Sequence, residues 1–333
     1  MSKTNYGQVK DSNNKSIVFY NVENLFDTID DPDTFDEDYT LEGRYNYSNR
    51  DYQEKIDKTA KVLSEIGYSG SKNKPILIGL AEVENRGVLK DLIHSKKLQN
   101  IHYEIIHKDS PDLRGIDVAL IYQPFSFSPV FYEFLELKLW NDLGERIYTR
   151  DILYVHGVLD TDEIHLFVNH WPSRRGGKIK SQPKRLKAAY LVNKKVNEIL
   201  IENPVAKILI LGDFNDDPFD PSINEVLSLN KTNGEKAEPI FFNPMGQMFK
   251  KGMNTLAYRD GINLFDQILV SKSLLKSSGL TDGYHFLRAG IYNPMYLIHN
   301  KGRFAGYPKR SFNRQKYSGG YSDHFPVFVE LSK

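Results

Sequence analysis

The sequence predicts an α/β chain whose sheets are mixed, and so α+β in part. Three observations carry this. Short apolar runs of strand length alternate with segments of helical periodicity. The stretch between the strands that open at Ile116 and close at Leu159 has no helical pattern, so part of the sheet must be antiparallel. The first and last apolar runs lie close to the two chain ends, which favours one domain over two.

The elements follow in order. Ser16–Tyr20 is a continuous apolar run and reads as a buried strand. Asp51–Gly67 repeats apolar residues at Ile56, Ala60, Leu63 and Ile66, which is the spacing of one helix face. Pro75–Ala81 is a second strand, and Arg86–Leu98, with Val88, Leu89, Leu92 and Ile93, a second helix. Ile116–Tyr122, Phe127–Leu139, Arg150–Leu159 and Ile164–Val168 read as strands. Pro183–Ile201 reads as a helix with its proline in the first turn, where a missing N–H costs little. Lys207–Leu211, Phe265–Val270 and Phe325–Leu331 complete the strands. The weakly patterned stretch from Ser271 to Ser322 is expected to be an elaborated excursion over one end of the sheets. The expectation is a single domain over 1–333 with its core at about 16–332.

Composition excludes several classes. The 333 residues contain no cysteine, which removes thiol nucleophiles, thiolate metal sites, redox motifs and disulfides. The opening MSKTNYGQVKDSNNKS lacks the apolar core of a signal peptide, and no stretch reaches the ~18 apolar residues of a membrane span. A cytoplasmic protein without membrane anchoring is expected. The net charge of +1 argues against a general nucleic-acid coat. The charge is nevertheless segregated. Asp27, Asp30, Asp31, Asp33, Asp36, Glu37 and Asp38 form an acidic run. Arg174, Arg175, Lys178, Lys180, Lys184, Arg185, Lys187, Lys194 and Lys195 follow one another without an acid, and Lys301, Arg303, Lys309, Arg310, Arg314 and Lys316 form a second basic stretch. A charge run is most often a solvated face.

Polar residues recur at the ends of the apolar strands: Asn21, Glu82, His170, Asp213 with Asn215, Asp266, and Asp323 with His324. One such residue is usually a cap or a turn former. Six strand ends so marked suggest that site residues converge at a sheet rim. Other motifs fail. The acidic segment starting at Asp213 has Pro218 where a calcium loop needs Gly and Asn224 where it needs Glu. Gly177-Lys178 lacks the preceding glycine and the following hydroxyl of a P-loop. His165 and His170 are five apart on a strand and therefore on opposite faces. No HExxH or GxSxG is present. What remains is a set of carboxylates, amides and imidazoles, suited to a hard cation such as Mg²⁺, with Mn²⁺ the alternative, and to hydrolysis of a phosphate ester.

Tyr20-Asn21-Val22-Glu23-Asn24-Leu25-Phe26, the Glu82 strand, Asn169-His170-Trp171-Pro172, Gly212-Asp213-Phe214-Asn215, Asp266-Gln267-Ile268-Leu269 and Ser322-Asp323-His324 occur in this order. The series resembles the endonuclease/exonuclease/phosphatase superfamily, the DNase I-like proteins, over residues 17–331. The resemblance implies a four-layer sandwich of two face-to-face sheets flanked by helices, with Mg²⁺-dependent phosphodiesterase or phosphatase activity. It implies Glu82 as principal metal ligand, with Asn21 beside it and Asp323 near the metal. Asp213 would orient or deprotonate the attacking water. Asn215 would donate to the phosphoryl oxygens. His170 would act near the leaving group. His324 would contact the scissile phosphate, its tautomer set by Asp266. Arg150 resembles an arginine close to the phosphate. Ala81 stands where the family often has Gln, which removes a secondary hydrogen bond and not the ligand.

For the substrate, the basic run after His170 leads to a nuclease as the first reading, with Arg174 and Arg175 facing a phosphate backbone. A phosphatase or phosphodiesterase acting on a small-molecule or lipid phosphate is the second. A non-catalytic binding domain is disfavoured because the site is complete. The expected partner is the phosphate-ester substrate, with no protein partner and a monomeric chain.

Overall fold

Strands that are apolar on both faces require a cover on each side. In the computed structural model this need is met by two six-stranded sheets packed against each other, with helices outside. The structure describes residues 14–66, 74–227, 239–258, 261–279, 282–314 and 316–333. The polar opening of the chain, residues 1–13, and Gly67 at the end of the first expected helix lie outside these.

The first sheet contains β1 (Lys15–Leu25), β2 (Leu77–Val83), β3 (Glu104–His107) and β4 (Asp117–Tyr122). The second contains β5 (Phe127–Leu135); a small ribbon of β6 (Leu139–Trp140) and β7 (Arg146–Ile147) follows it in the chain. The second sheet continues with β8 (Ile152–Leu159), β9 (Asp162–His170), β10 (Ile208–Asp213), β11 (Phe241–Phe242) and, after a ribbon of β12 (Leu256–Tyr258) and β13 (Gly261–Asn263), β14 (Asp266–Ser271). The chain then returns to the first sheet with β15 (His285–Ile291) and β16 (Val327–Ser332). The strand orders are β15-β16-β1-β2-β4-β3 and β11-β14-β10-β9-β8-β5. Both sheets are mixed, since β1–β2 and β9–β10 are parallel pairs and the other pairs are antiparallel.

Helices α1 (Asn49–Glu65) and α2 (Arg86–His94) bury Ile56, Ala60, Leu63, Val88, Leu89 and Leu92 in the core of the first sheet. Helix α3 (Lys178–Glu202) covers the second sheet through Ala189, Val192 and Val196, together with α4 (Pro221–Leu227); the short α5 spans Met245–Lys250. The Ser48 hydroxyl and the Asp51 carboxylate form a reciprocal cap at the start of α1. The sheets meet closely at Gly79. A Cβ there would lie 2.3 Å from Leu211 and 3.1 Å from Val168 on the facing sheet, so any larger residue must displace those side chains.

Two expectations change. Helix α3 begins at Lys178, five residues before Pro183, so the proline lies inside the helix. The Ser181 hydroxyl donates to the carbonyls of Gly177 and Lys178, and the Arg185 guanidinium donates to that of Lys178. These bonds hold the extra N-terminal turn. The stretch 271–322 is also not wholly an excursion, because β15 within it forms the edge of the first sheet. Its sequence, HFLRAGI, is half exposed and lacks the continuous apolar run of a central strand.

Candidate active site

The parallel pairs β1–β2 and β9–β10 end at one rim, and β14 and the turn into β16 begin there. Register makes the convergence concrete: Asp213 pairs with His170 on one side and Asp266 on the other, and Asn21 pairs with Ala81, the neighbour of Glu82. The sheet edges thus bring together Asn21, Glu82, His170, Asp213, Asp266 and His324.

The centre of the group is Asp213, buried to 2% exposure. Its Oδ2 accepts a hydrogen bond from the Asn21 amide at 3.0 Å and lies 3.7 Å from His170 Nε2 and 3.9 Å from His324 Nε2. Its Oδ1 accepts the Asn215 backbone N–H at 2.9 Å. Burial pushes its carboxyl up to about 6, opposed by the positive field of His324. His324 Nδ1 faces Asp266 Oδ2 at 2.7 Å. Burial works against charge on this imidazole, but Asp266 and Asp213 outweigh it and raise its pKa well above the ordinary value. His170 goes the other way. Burial, then the charges of Arg150 and Arg114, hold it well below the ordinary value. One imidazole is therefore favoured in its charged form and the other in its neutral form, and both face Asp213 Oδ2.

Glu82 sits at φ +63°, and Glu23, Asn24 and Asn215 are also left-handed. Among the described residues these are four of seven non-glycine residues with positive φ, so backbone strain is concentrated at this rim. Glu82 Oε2 accepts the Asn24 N–H at 3.0 Å, while Oε1 looks toward Arg114 at 3.7 Å and His170 Nε2 at 3.9 Å. The Asn21 side-chain Oδ1 accepts the Glu23 N–H, and its Nδ2 donates to Asp213. The Asp323 carboxylate pairs with Arg310 at 3.0 Å and stands 3.9 Å from His324 Nε2.

The arginines are placed differently from the sequence expectation. Arg150 is buried, with its guanidinium paired to Asp112 at 2.9 Å and donating to the carbonyls of His170 and Trp171. It braces the strand end that carries His170 from behind. Arg174 donates to the Asn215 carbonyl and reaches Asp216, Asp217 and Asp220 at 3.2, 3.1 and 2.7 Å. It clamps the loop after Asp213, and Lys178 and Arg185 of the same basic run also pair with acids of that loop. Arg175 is exposed. The Asn215 amide nitrogen donates to the Trp171 carbonyl at 3.0 Å.

Residues that sequence reasoning passed over also support the site. Ser322 donates to the Asn21 backbone carbonyl and accepts the His324 N–H, which ties the turn before β16 to the end of β1. Lys55, fully buried on α1, donates to the carbonyls of Val22 and Tyr321 and to the Ser311 hydroxyl. Arg114 reaches Asn24 Oδ1 at 3.3 Å, beside Glu82. It stands before Gly115, a left-handed glycine at φ +63° two residues ahead of β4.

A profile of the Endonuclease/Exonuclease/phosphatase family matches residues 16–333. The chain belongs to this family. Its fold is the DNase I-like sandwich, and members of the family are metal-dependent phosphoester hydrolases. Among solved structures, Danio rerio TDP2 humanized by 14 mutations is 14% identical, with 96% of this chain and 99% of that chain covered at a TM-score of 0.56. Danio rerio TDP2 complexed with single-strand DNA product has the same identity and TM-score, covering 96% and 100%. The mannosyl-6-phosphatase of Bacteroides thetaiotaomicron is 17% identical, covering 96% and 100% at 0.55. No curated protein sequence matches the chain. Among the described residues no helix is long and apolar enough to cross a membrane.

The donor set fits a hard divalent cation. Glu82 offers a carboxylate oxygen that carries no hydrogen bond of its own, and Asp213, Asp266 and His324 form a buried acid–imidazole cluster, within 4.8 Å of one another, whose carboxylates add negative charge at the same rim. No thiol competes.

Proposed function

We propose that the chain is a divalent-metal-dependent phosphodiesterase that cleaves nucleic acid by in-line attack of water at phosphorus. The observation that carries this is Asp213, a buried carboxylate set between His170 and His324 with Asp266 behind the latter. Mg²⁺, or Mn²⁺, would be held by Glu82, with Asn21 and Asp323 beside it. Its chemistry would be to neutralise phosphate charge and sharpen the electrophile. For Asn21 to offer its oxygen, the amide must release the Glu23 N–H or share that oxygen with it.

The chain's own residues divide the rest of the work. Asp213, ionised above about 6, orients the attacking water and accepts its proton. His324, held as imidazolium by Asp266, donates through Nε2 to a phosphoryl oxygen as charge gathers there. His170, favoured as neutral by burial and by Arg150 and Arg114, gains basicity beside a phosphate anion and serves the departing oxygen. Asn215 contributes its amide from the strained turn. Arg150 and Arg174 act indirectly by fixing the His170 strand end and the Asn215 loop, which leaves Arg175 as the exposed arginine for substrate.

The nucleic-acid reading is supported by the likeness to TDP2, one structure of which holds a single-strand DNA product. The likeness to a mannosyl-6-phosphatase supports the second reading, a phosphatase or phosphodiesterase acting on a small-molecule or lipid phosphate. The deciding experiment incubates the protein and its Asp213→Asn variant with Mg²⁺ or Mn²⁺. Substrates are single- and double-stranded DNA, RNA, sugar and inositol phosphates, sphingomyelin and a bis-aryl phosphate. Cleavage of nucleic acid by the wild type alone supports the proposal. Intact nucleic acid with turnover of a small phosphate sinks it in favour of the second reading.

A further inference from the structure

In the first of the two basic stretches, four of the nine cations are held by acids. Arg174 and Lys178 are bound by Asp216, Asp217 and Asp220, Arg185 is buried against Asp216, and Lys195 pairs with Glu133. The second stretch lies on a loop rather than on a helix. From Gly283 to Ser322 the chain has seven Lys and Arg residues and no Asp or Glu. Within it the backbone folds into a hairpin: His299 N–H donates to the Tyr307 carbonyl, Gly306 N–H to that of His299, and Lys309 N–H to that of Leu297. The tip holds Lys301, Arg303 and Phe304, all exposed, and Phe304 shows 53% of its surface. The Phe304 ring rests against Tyr307 and His299 at 5.8 and 6.4 Å, so it is oriented rather than loose.

The stem is anchored at the active site. Tyr321 N–H donates to the Lys309 carbonyl, and the next residue, Arg310, binds both Glu23 and Asp323. Six residues of extended chain separate Arg310 from Phe304, at most about 20 Å. At ~3.4 Å per phosphate along a strand, that distance lies within about six nucleotides of the scissile bond.

We propose that the 299–307 hairpin is a binding arm for single-stranded nucleic acid, in which Lys301 and Arg303 meet phosphates and a base stacks on Phe304. The inference rests on the nucleic-acid reading of the active site. Charge complementarity selects a polyanion, and one oriented ring flanked by two cations matches the combination of stacking and phosphate contact that unpaired strands require. The exposed apolar area at the tip is a single phenyl ring, which offers little to a bilayer.

The test is fluorescence anisotropy with a labelled 12-nucleotide deoxyoligonucleotide, metal-free in EDTA so that binding is read apart from cleavage. Phe304→Leu is expected to weaken binding roughly 5- to 100-fold, and Phe304→Trp to retain it. Lys301→Ala with Arg303→Ala is expected to weaken it about 10-fold and to flatten the log–log salt slope by about 1.4, the value for two phosphates on a single strand. Melting curves that match the wild type confirm that the variants fold. Equal affinity and equal slope in all variants would overturn the proposal. So would hairpin-dependent binding to phosphatidylserine vesicles without binding to the oligonucleotide. If the wild type binds through the hairpin yet cleaves no nucleic acid, the arm stands and the catalytic reading falls.

Discussion

His324 Nδ1 and Asp266 Oδ2 lie 2.7 Å apart, with Asp266 fully buried at the start of a strand in one sheet and His324 at the entrance to a strand in the other. The pair spans the interface between the sheets. It fixes which imidazole nitrogen faces Asp213 and keeps the ring charged.

Asp266→Asn keeps the shape and removes the charge. The His324 pKa is expected to fall from its raised position toward the ordinary range, followed by NMR titration of the ring. Turnover of a bis-aryl phosphate should drop roughly 10²–10⁴-fold. Wild-type turnover in the variant would exclude an imidazolium at this position.

The pH profile should show an acid limb set by Asp213. Its carboxyl is raised to about 6, so it is protonated below that value and ionised above it, and activity rises with pH. A bound cation favours the carboxylate and moves the midpoint lower, so the limb is expected at or below pH 6. Asp213→Asn should abolish the limb along with most of the activity. A pH-independent rate between 4 and 7 in the wild type would contradict this.

Metal should stabilise the protein through Glu82. At a free concentration near 100 times its dissociation constant, a cation adds about 2.7 kcal/mol to folding, visible as a rise in melting temperature that EDTA reverses. Glu82→Gln is expected to lose most of that rise while melting normally without metal. An undiminished rise would move the ligand elsewhere.

Arg174→Ala should act on stability. It leaves Asp217 and Asp220 without their shared cation, and a loss of about 2 kcal/mol is expected by urea denaturation. The salt slope for oligonucleotide binding should be unchanged. A flattened slope with normal stability would return Arg174 to the substrate.

Glu84 supplies a pH dependence of folding. Burial raises its carboxyl to about 8 in the native protein, against the ordinary 4.5 in the unfolded chain. Between these values the unfolded state releases a proton that the native state keeps. The group therefore costs stability increasingly from about pH 4.5 up to pH 8 and costs nothing below. Glu84→Gln retains an acceptor for the Asp27 N–H and should raise stability by roughly 1–3 kcal/mol at pH 8, with no gain at pH 4. Parallel stability curves would show that Glu84 is ionised in the fold.

Much of the rim was legible in the sequence because each site residue terminates an apolar run, and a strand end is a position that spacing reveals. Glu82, His170, Asp213 and Asp266 are of this kind. What stayed hidden depends on pairing across the chain. Arg150 and Arg174 look like free cations until Asp112 and the 216–220 loop are folded against them. Lys55 sits on the apolar face of a helix and reads as a surface lysine, yet it binds one carbonyl on β1 and another in the loop before β16. The edge strand His285–Ile291 escaped because an edge needs only one buried row.

Gly79 shows what holds the two halves of the chemistry at their working distance. Asn21, Glu82 and His324 belong to one sheet, and His170, Asp213 and Asp266 to the other. The gap between them is set where Gly79 meets Leu211 and Val168, deep in the sandwich and far from any loop. The interior acts as a gauge block for the site: one methyl group added at position 79 would prise the two jaws apart, and a reaction tuned to a few tenths of an ångström would record the change before the fold did.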